Sequence, residues 1–196
     1  ITGLDFQPDW TWIKGRSGSY GVSNHKVYDV VRGATKTLFV NLTNAETTQT
    51  NTLTSFNSDG FSLGDDTNVN ASSTEFASWN WLASNTTASN SNGSITSTVS
   101  ANTTAGFSIV SYTANGNAGT TIGHGLGAVP SMIITKDRDA SGLWLVYHAK
   151  SDSSAPQNKY LELNTFLVEC FQRNSFRFHR YKFYLYSLYL HIRLHR

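Results

Sequence analysis

Along most of the first 165 residues apolar and polar side chains alternate with period two, the signature of a half-buried strand. Trp10, Trp12 and Lys14 alternate with Thr11 and Ile13, and Lys36–Leu42 is rich in β-forming residues. Glu75, Ala77, Trp79 and Trp81 share one face of a further strand, with Phe76, Ser78, Asn80 and Leu82 on the other. Gly106–Thr113, Ser131–Lys136, Leu143–His148 and Lys159–Leu163 complete the set. Ser17-Gly18, Asp59-Gly60, Asn92-Gly93, Asn115-Gly116 and Ser141-Gly142 are turn dipeptides. No 12-residue stretch of this body carries an apolar i, i+3, i+4 stripe. The pattern predicts an all-β fold, an antiparallel β-sandwich of jelly-roll-like kind.

A repeat sets the organisation. Gly3-Leu4-Asp5-Phe6-Gln7-Pro8 aligns without gaps on Gly125-Leu126-Gly127-Ala128-Val129-Pro130, and the same register places Lys14 on Lys136 and Arg16 on Arg138. After a short loop deletion, Val27-Tyr28-Asp29 falls on Val146-Tyr147-His148. Lys36, Leu38 and Asn41 then fall on Lys159, Leu161 and Asn164. The tandem repeat is incomplete. The expected units are residues 1–83, a first sandwich copy lacking its first strand; 84–105, a Ser/Thr/Asn-rich linker or arm; and 106–165, the start of a second copy.

Residues 166–196 break the pattern: they hold no Gly, Ala, Thr, Asp or Trp, but five Phe, four Tyr and five Arg. One reading is a basic aromatic strand pair or membrane-surface segment, since Leu188, Leu190, Ile192 and Leu194 alternate with polar or aromatic residues. The other is translation out of frame from about codon 165, favoured because the break falls in mid-repeat.

Charge follows the same division. Residues 1–165 carry 9 Lys/Arg and 12 Asp/Glu (9 − 12 = −3), and 166–196 carry 6 and one (6 − 1 = +5). The basic balance therefore belongs to the tail, and the body gives no electrostatic reason to expect nucleic acid. No run reaches 18 apolar residues, so no membrane span is expected. The one cysteine, Cys170, allows no disulfide framework or cysteine-based metal site, and no cofactor is expected.

Several strings (GLDFQPDWTWIKGRSGS, SFNSDGFSLG, FASWNWLA, TAGFSIVSYTANGNAGTTIGHGLGAVPSMIITKDR and WLVYH) resemble an uncharacterised domain repeated in tail-fibre and other virion proteins of marine tailed phages. The resemblance covers about residues 1–165. It implies a sandwich similar to concanavalin A and laminin G domains, in an extended virion protein whose partners are other virion subunits, homo-oligomeric in fibres. It carries over no catalytic or binding residues.

Candidate chemistry is sparse. Trp10 and Trp144 are possible stacking platforms for sugar rings, and Lys14, Arg16, Lys136 and Arg138 recur at matching places and could grip acidic sugars. Trp79 and Trp81 are expected in the core. Gly123-His124-Gly125-Leu126-Gly127 lacks the strand–helix context of a phosphate loop and reads as a turn with Leu126 in the core. Asp59, Asp65, Asp66, Asn68 and Asn70 form an oxygen-rich stretch without calcium-loop spacing, better suited to turns. His25 and Asp29 are too far apart along a strand for catalysis, and no GxSxG occurs. The expectation is a non-enzymatic virion module that binds host-surface glycans. A polysaccharide-degrading tail domain and a secreted bacterial adhesin are the alternatives.

Overall fold

The computed structural model describes residues 1–18 and 23–164, together with the backbone of two later strands, Phe171–Gln172 and Lys182–Leu188. The remaining tail residues, including Leu190, Ile192 and Leu194 of the expected alternation, lie outside the described residues.

The first repeat builds one sheet from β1 (Trp10–Gly15), β2 (Lys26–Asp29), β3 (Gly33–Phe39), β4 (Thr47–Thr48) and β7 (Phe76–Trp81), in the order β4-β3-β2-β1-β7. Between β4 and β7 come a hairpin, β5 (Leu53–Asn57) and β6 (Gly60–Leu63), and a single helical turn, α1 (Thr67–Asn70). The second sheet contains β8 (Ala88–Asn90), β9 (Ser97–Asn102), β10 (Phe107–Thr113), β11 (Met132–Asp137), β12 (Leu145–His148), β13 (Lys159–Glu162), β14 (Phe171–Gln172) and β15 (Lys182–Leu188). Its order is β14-β13-β12-β11-β15-β10-β9-β8. The named strand pairs in both sheets are antiparallel. The stretch 84–105, expected as a linker or arm, thus contributes two strands of this sheet. Its Ser and Thr are short enough to sit in a ladder, and Val99 with Ala101 packs against Val110 and Tyr112.

The repeat holds to the register of the ladders. Trp10 pairs with Asp29 in β1–β2 and Met132 with His148 in β11–β12, the residues that the sequence alignment equates. Lys26 pairs with Phe39 in β2–β3 and Leu145 with Glu162 in β12–β13, again equivalent. Side-chain caps repeat as well: His25 N–H donates to Asn41 Oδ1 and Trp144 N–H to Asn164 Oδ1, both at 2.9 Å.

The two repeats do not stand as separate sandwiches. Trp10, Val27, Leu38 and Val40 of the first sheet share one core with Phe107, Ile109 and Trp144 of the second. The opposite face of the first sheet, bearing Ile13 and Tyr28, is covered by Leu53, Phe61 and Val69 of the hairpin and α1. Period-two alternation lets β1 serve both cores at once, Trp10 inward to one and Ile13 to the other.

Charge also crosses the seam. Asp29 accepts Arg32 Nε at 2.6 Å, Arg32 reaches Glu46 at 3.4 Å, and Glu46 holds Arg138 of the second repeat through a two-pronged pair at 2.8 Å each. Backbone bonds flank it: Glu46 N–H to Arg138 O and Gly142 N–H to Thr43 O, both 2.8 Å. Burial pushes the Glu46 carboxyl up, but the Arg138 hydrogen bonds and the charges of Arg32 and Arg138 outweigh it, and the net pKa is lowered.

Glu46→Ala is expected to destabilise the protein by roughly 2–4 kcal/mol in urea unfolding, somewhat under the loss for a fully buried pair because Arg138 is partly exposed. Because the folded pKa lies below the ordinary 4.5, the Glu46 contribution is whole above that pH and lost as pH falls through the folded value. The gap between wild type and variant should therefore close on acidification.

Candidate functional site

Most of the basic and aromatic residues singled out from the sequence are part of the framework. Trp144 is 1% exposed, with Nε1–H donating to Phe39 O of the first repeat at 2.8 Å, and Trp10 is buried in the same core. Neither offers an indole face to a sugar ring. Lys136 is 0% exposed; its ammonium donates to the carbonyls of Asp137 at 2.7 Å and Ala140 at 3.2 Å. Lys14 does the equivalent thing half-buried, donating to Gly15 O at 2.7 Å. The recurrence of lysine at this place is thereby accounted for: each ammonium folds back on the carbonyl of the residue after it. Arg138 is held by Glu46 and by Ser111 Oγ, whereas Arg16 is exposed just past the end of β1.

Burial pushes the Lys136 ammonium down to about 8, and the charge of Asp137 offsets only part of that. The oxygen-rich stretch is likewise structural. Asp66 caps α1 and faces Lys26 at 3.5 Å, and Asp59 accepts the N–H groups of Gly3 and Asp5. Among the described residues no group of three or more His, Cys, Asp or Glu is placed to hold a metal ion. No helix among them is long and apolar enough to cross a membrane.

Two features of the described surface bear on binding. One is aromatic: Trp79 on β7 is 47% exposed, against the expectation of a core position, because β7 is the outer strand of its sheet and its indole has a neighbour on one side only. It meets Trp12 at 5.9 Å between ring centroids; Trp12 meets Trp10 at 5.9 Å, and Trp10 meets Trp81 at 4.6 Å, all edge-on. Trp12 Nε1–H donates to His25 Nδ1 at 3.0 Å, and burial, then the charge of Lys14, lowers the His25 pKa, consistent with a neutral acceptor ring. The sequence placed Trp12 and Trp79 on one strand face or another but not which indole the edge of the sheet would leave uncovered.

The other is a groove of about 460 Å³ on the outer face of the second sheet, within the size range of small-ligand sites. Tyr112, Ile133, Thr135, Leu145 and Tyr147 line it from β10, β11 and β12, and the loop containing His124 and Pro130 forms one wall. That loop is the glycine-rich string: Gly125 and Gly127 take φ of +76° and +68°, and Leu126 is buried, as a tight turn requires. Burial lowers the His124 pKa, and its Nδ1 accepts Leu126 N–H at 3.2 Å.

Fold and surface together define a β-sandwich assembled from two register-matched repeats. The chain belongs to the family described as a domain of unknown function (DUF7483), whose model matches residues 1–181. The match takes in both repeats in one span and continues past Thr165, where the sequence resemblance was expected to stop. No curated protein and no solved structure matches the chain.

Lys136→Met is expected to lower stability at pH 7 by about 1–3 kcal/mol, since the carbonyls of Asp137 and Ala140 lose their buried donor. The folded pKa of about 8 lies below the ordinary 10.5, so the cost of the charge is full below pH 8 and relieved as pH rises to 10.5. Urea midpoints at pH 7, 9 and 10.5 should show the deficit of the variant widening with pH, as the cost of the charge in the wild type is relieved.

Proposed function

We propose that this chain is a non-catalytic structural module of a virion surface assembly of the tail-fibre kind. The observation that carries the reading is the repeat itself, matched in ladder register and in side-chain caps, as befits a unit multiplied along an extended protein. A body rich in neutral Ser, Thr and Asn supports it, as does the resemblance of the strings around Gly106–His148 to virion domains. Three of the four recurring basic residues support it too, since Lys14 and Lys136 serve backbone carbonyls and Arg138 an internal ion pair.

Mass spectrometry of gradient-purified particles produced by the genome encoding this chain tests the assignment. Its peptides should co-purify with intact particles; recovery only from a bacterial cell-surface or secreted fraction would favour an adhesin and overturn it.

The exposed indole of Trp79 favours a second role on the same module, contact with host-surface glycans. Trp79 supplies an apolar ring face, with Trp12 and His25 beside it. On an array of host polysaccharides the protein should bind neutral sugars, and Trp79→Ala should reduce binding at least tenfold with unchanged unfolding. An array without signal, or one indifferent to Trp79→Ala, removes the glycan role and leaves the scaffold.

A further inference from the structure

Two Asn-Gly pairs stand in exposed turns beside the second sheet, Asn92-Gly93 and Asn115-Gly116, and the fold treats them differently. An Asn-Gly pair can rearrange unaided: the glycine amide nitrogen attacks the asparagine side-chain carbon, and ammonia leaves. Glycine permits this because it sets no Cβ beside the attacking nitrogen.

At Asn115 the surroundings favour that reaction. Its Oδ1 accepts Asn117 N–H at 3.0 Å, which curls the side chain back over its own backbone toward Gly116. Thr120 Oγ1 lies 2.9 Å from the same Oδ1 and 2.9 Å from Asn117 O, so its one proton is shared between two acceptors. As negative charge grows on Oδ1 that proton is drawn to it, and two donors then meet the developing oxyanion. Both bonds are stronger to the charged oxygen than to the neutral amide, which is the condition for acceleration. Gly116 is exposed at φ of +78°, and among the described residues its N–H meets no acceptor.

Elsewhere one requirement or the other is missing. Gly93 N–H donates to Ser91 O at 2.8 Å, and a Cβ on Gly93 would lie 2.7 Å from Thr121 O. Its nitrogen is engaged and its backbone is held. Asn102 Oδ1 has two donors, Thr104 N–H at 3.1 Å and Ala105 N–H at 2.9 Å. The residue after it is Thr103, however, whose branched Cβ shields the nitrogen. Of these three asparagines, Asn115 unites a doubly bonded carbonyl oxygen with an open glycine nitrogen.

We infer that Asn115 is a self-modification site, converted through a succinimide to aspartate and isoaspartate. The Gly116 nitrogen gives its proton to hydroxide and bonds to Asn115 Cγ. The Cγ–Nδ2 bond breaks, and Nδ2 departs as ammonia with a proton from water. Water then opens the ring at Cγ, giving aspartate, or at the main-chain carbonyl carbon of Asn115, giving isoaspartate with the chain routed through Cγ. One water enters and one ammonia leaves, with no redox change. Either product adds a carboxylate to an already acidic body. Isoaspartate also lengthens the turn between β10 and Thr121, whose N–H is bonded to Ser94 Oγ at 2.8 Å. The site stands apart from the particle and glycan readings.

The test holds the full chain in neutral buffer at physiological temperature and follows it by peptide mapping with mass spectrometry that separates aspartate from isoaspartate. Conversion at Asn115 should be at least tenfold faster than at Asn92 or Asn102, with both products present. In urea, where the turns are lost, the two Asn-Gly pairs should convert at rates within about threefold of each other. Thr120→Val should slow Asn115 at least threefold and leave Asn92 unchanged. Asn115 staying intact in the folded chain while it converts in urea overturns the assignment, as does equal conversion at the two pairs in the folded chain. A preference for Asn115 that persists in urea, aspartate as the sole product, or a Thr120→Val rate equal to that of the wild type overturns it as well. The comparison of folded chain with urea needs no substitution, so it decides whatever Thr120→Val does to folding.

Discussion

The structure depends on the first sheet having two apolar faces to bury, one under its own hairpin and the other against the second repeat. The hairpin and α1 close the face that bears Ile13 and Tyr28. Among the described residues, the face bearing Trp10, Val27 and Leu38 is covered from the second repeat, through Phe107, Ile109 and Trp144. An apolar face of that size left in water would cost on the order of 25 cal/mol for each Å² exposed, which is what drives the two repeats together. Orientation across the seam is then fixed by directional bonds: Trp144 to the Phe39 carbonyl, and Glu46 to the Arg138 guanidinium.

The duplication explains why residues with functional-looking chemistry have structural duties. A lysine at the end of β1 and again in β11 curls onto the next carbonyl, and an asparagine after β3 and again after β13 caps the strand beside it. Recurrence at matching positions is what a shared backbone solution produces, whether or not a ligand is involved. The informative positions are those where the repeats differ. Tyr28 is fully buried and Tyr147 lines a groove, although the ladders around them are in the same register.

Much of the fold is legible from alternation alone. β1, β7, β10 and β11 fall within a residue or two of the expected spans, because each alternates over at least six residues and ends in Gly, Asp or a polar loop. β8 and β9 are not legible, because a run of Ser, Thr and Asn carries almost no apolar period, and its place in the ladder is decided by neighbours rather than by its own side chains. The division into two sandwiches fails for a similar reason: alternation tells that a face is buried but not which sheet buries it. For the open surfaces the sequence singled out tryptophans and lysines, yet exposure depends on sheet order. Trp79 is uncovered because β7 is outermost, and Trp144 is hidden because it faces the partner sheet.

The claim on which all of this turns is that the two repeats share one core and therefore open together. Native-state hydrogen exchange measures it directly, through the opening free energies of Ile13 and Tyr28 in the first sheet and Ile109 and Val110 in the second. The account predicts one common value, with the same denaturant dependence, lowered equally at all four amides by Trp144→Ala. Two distinct values, with the first sheet unaffected by the loss of Trp144, would contradict it.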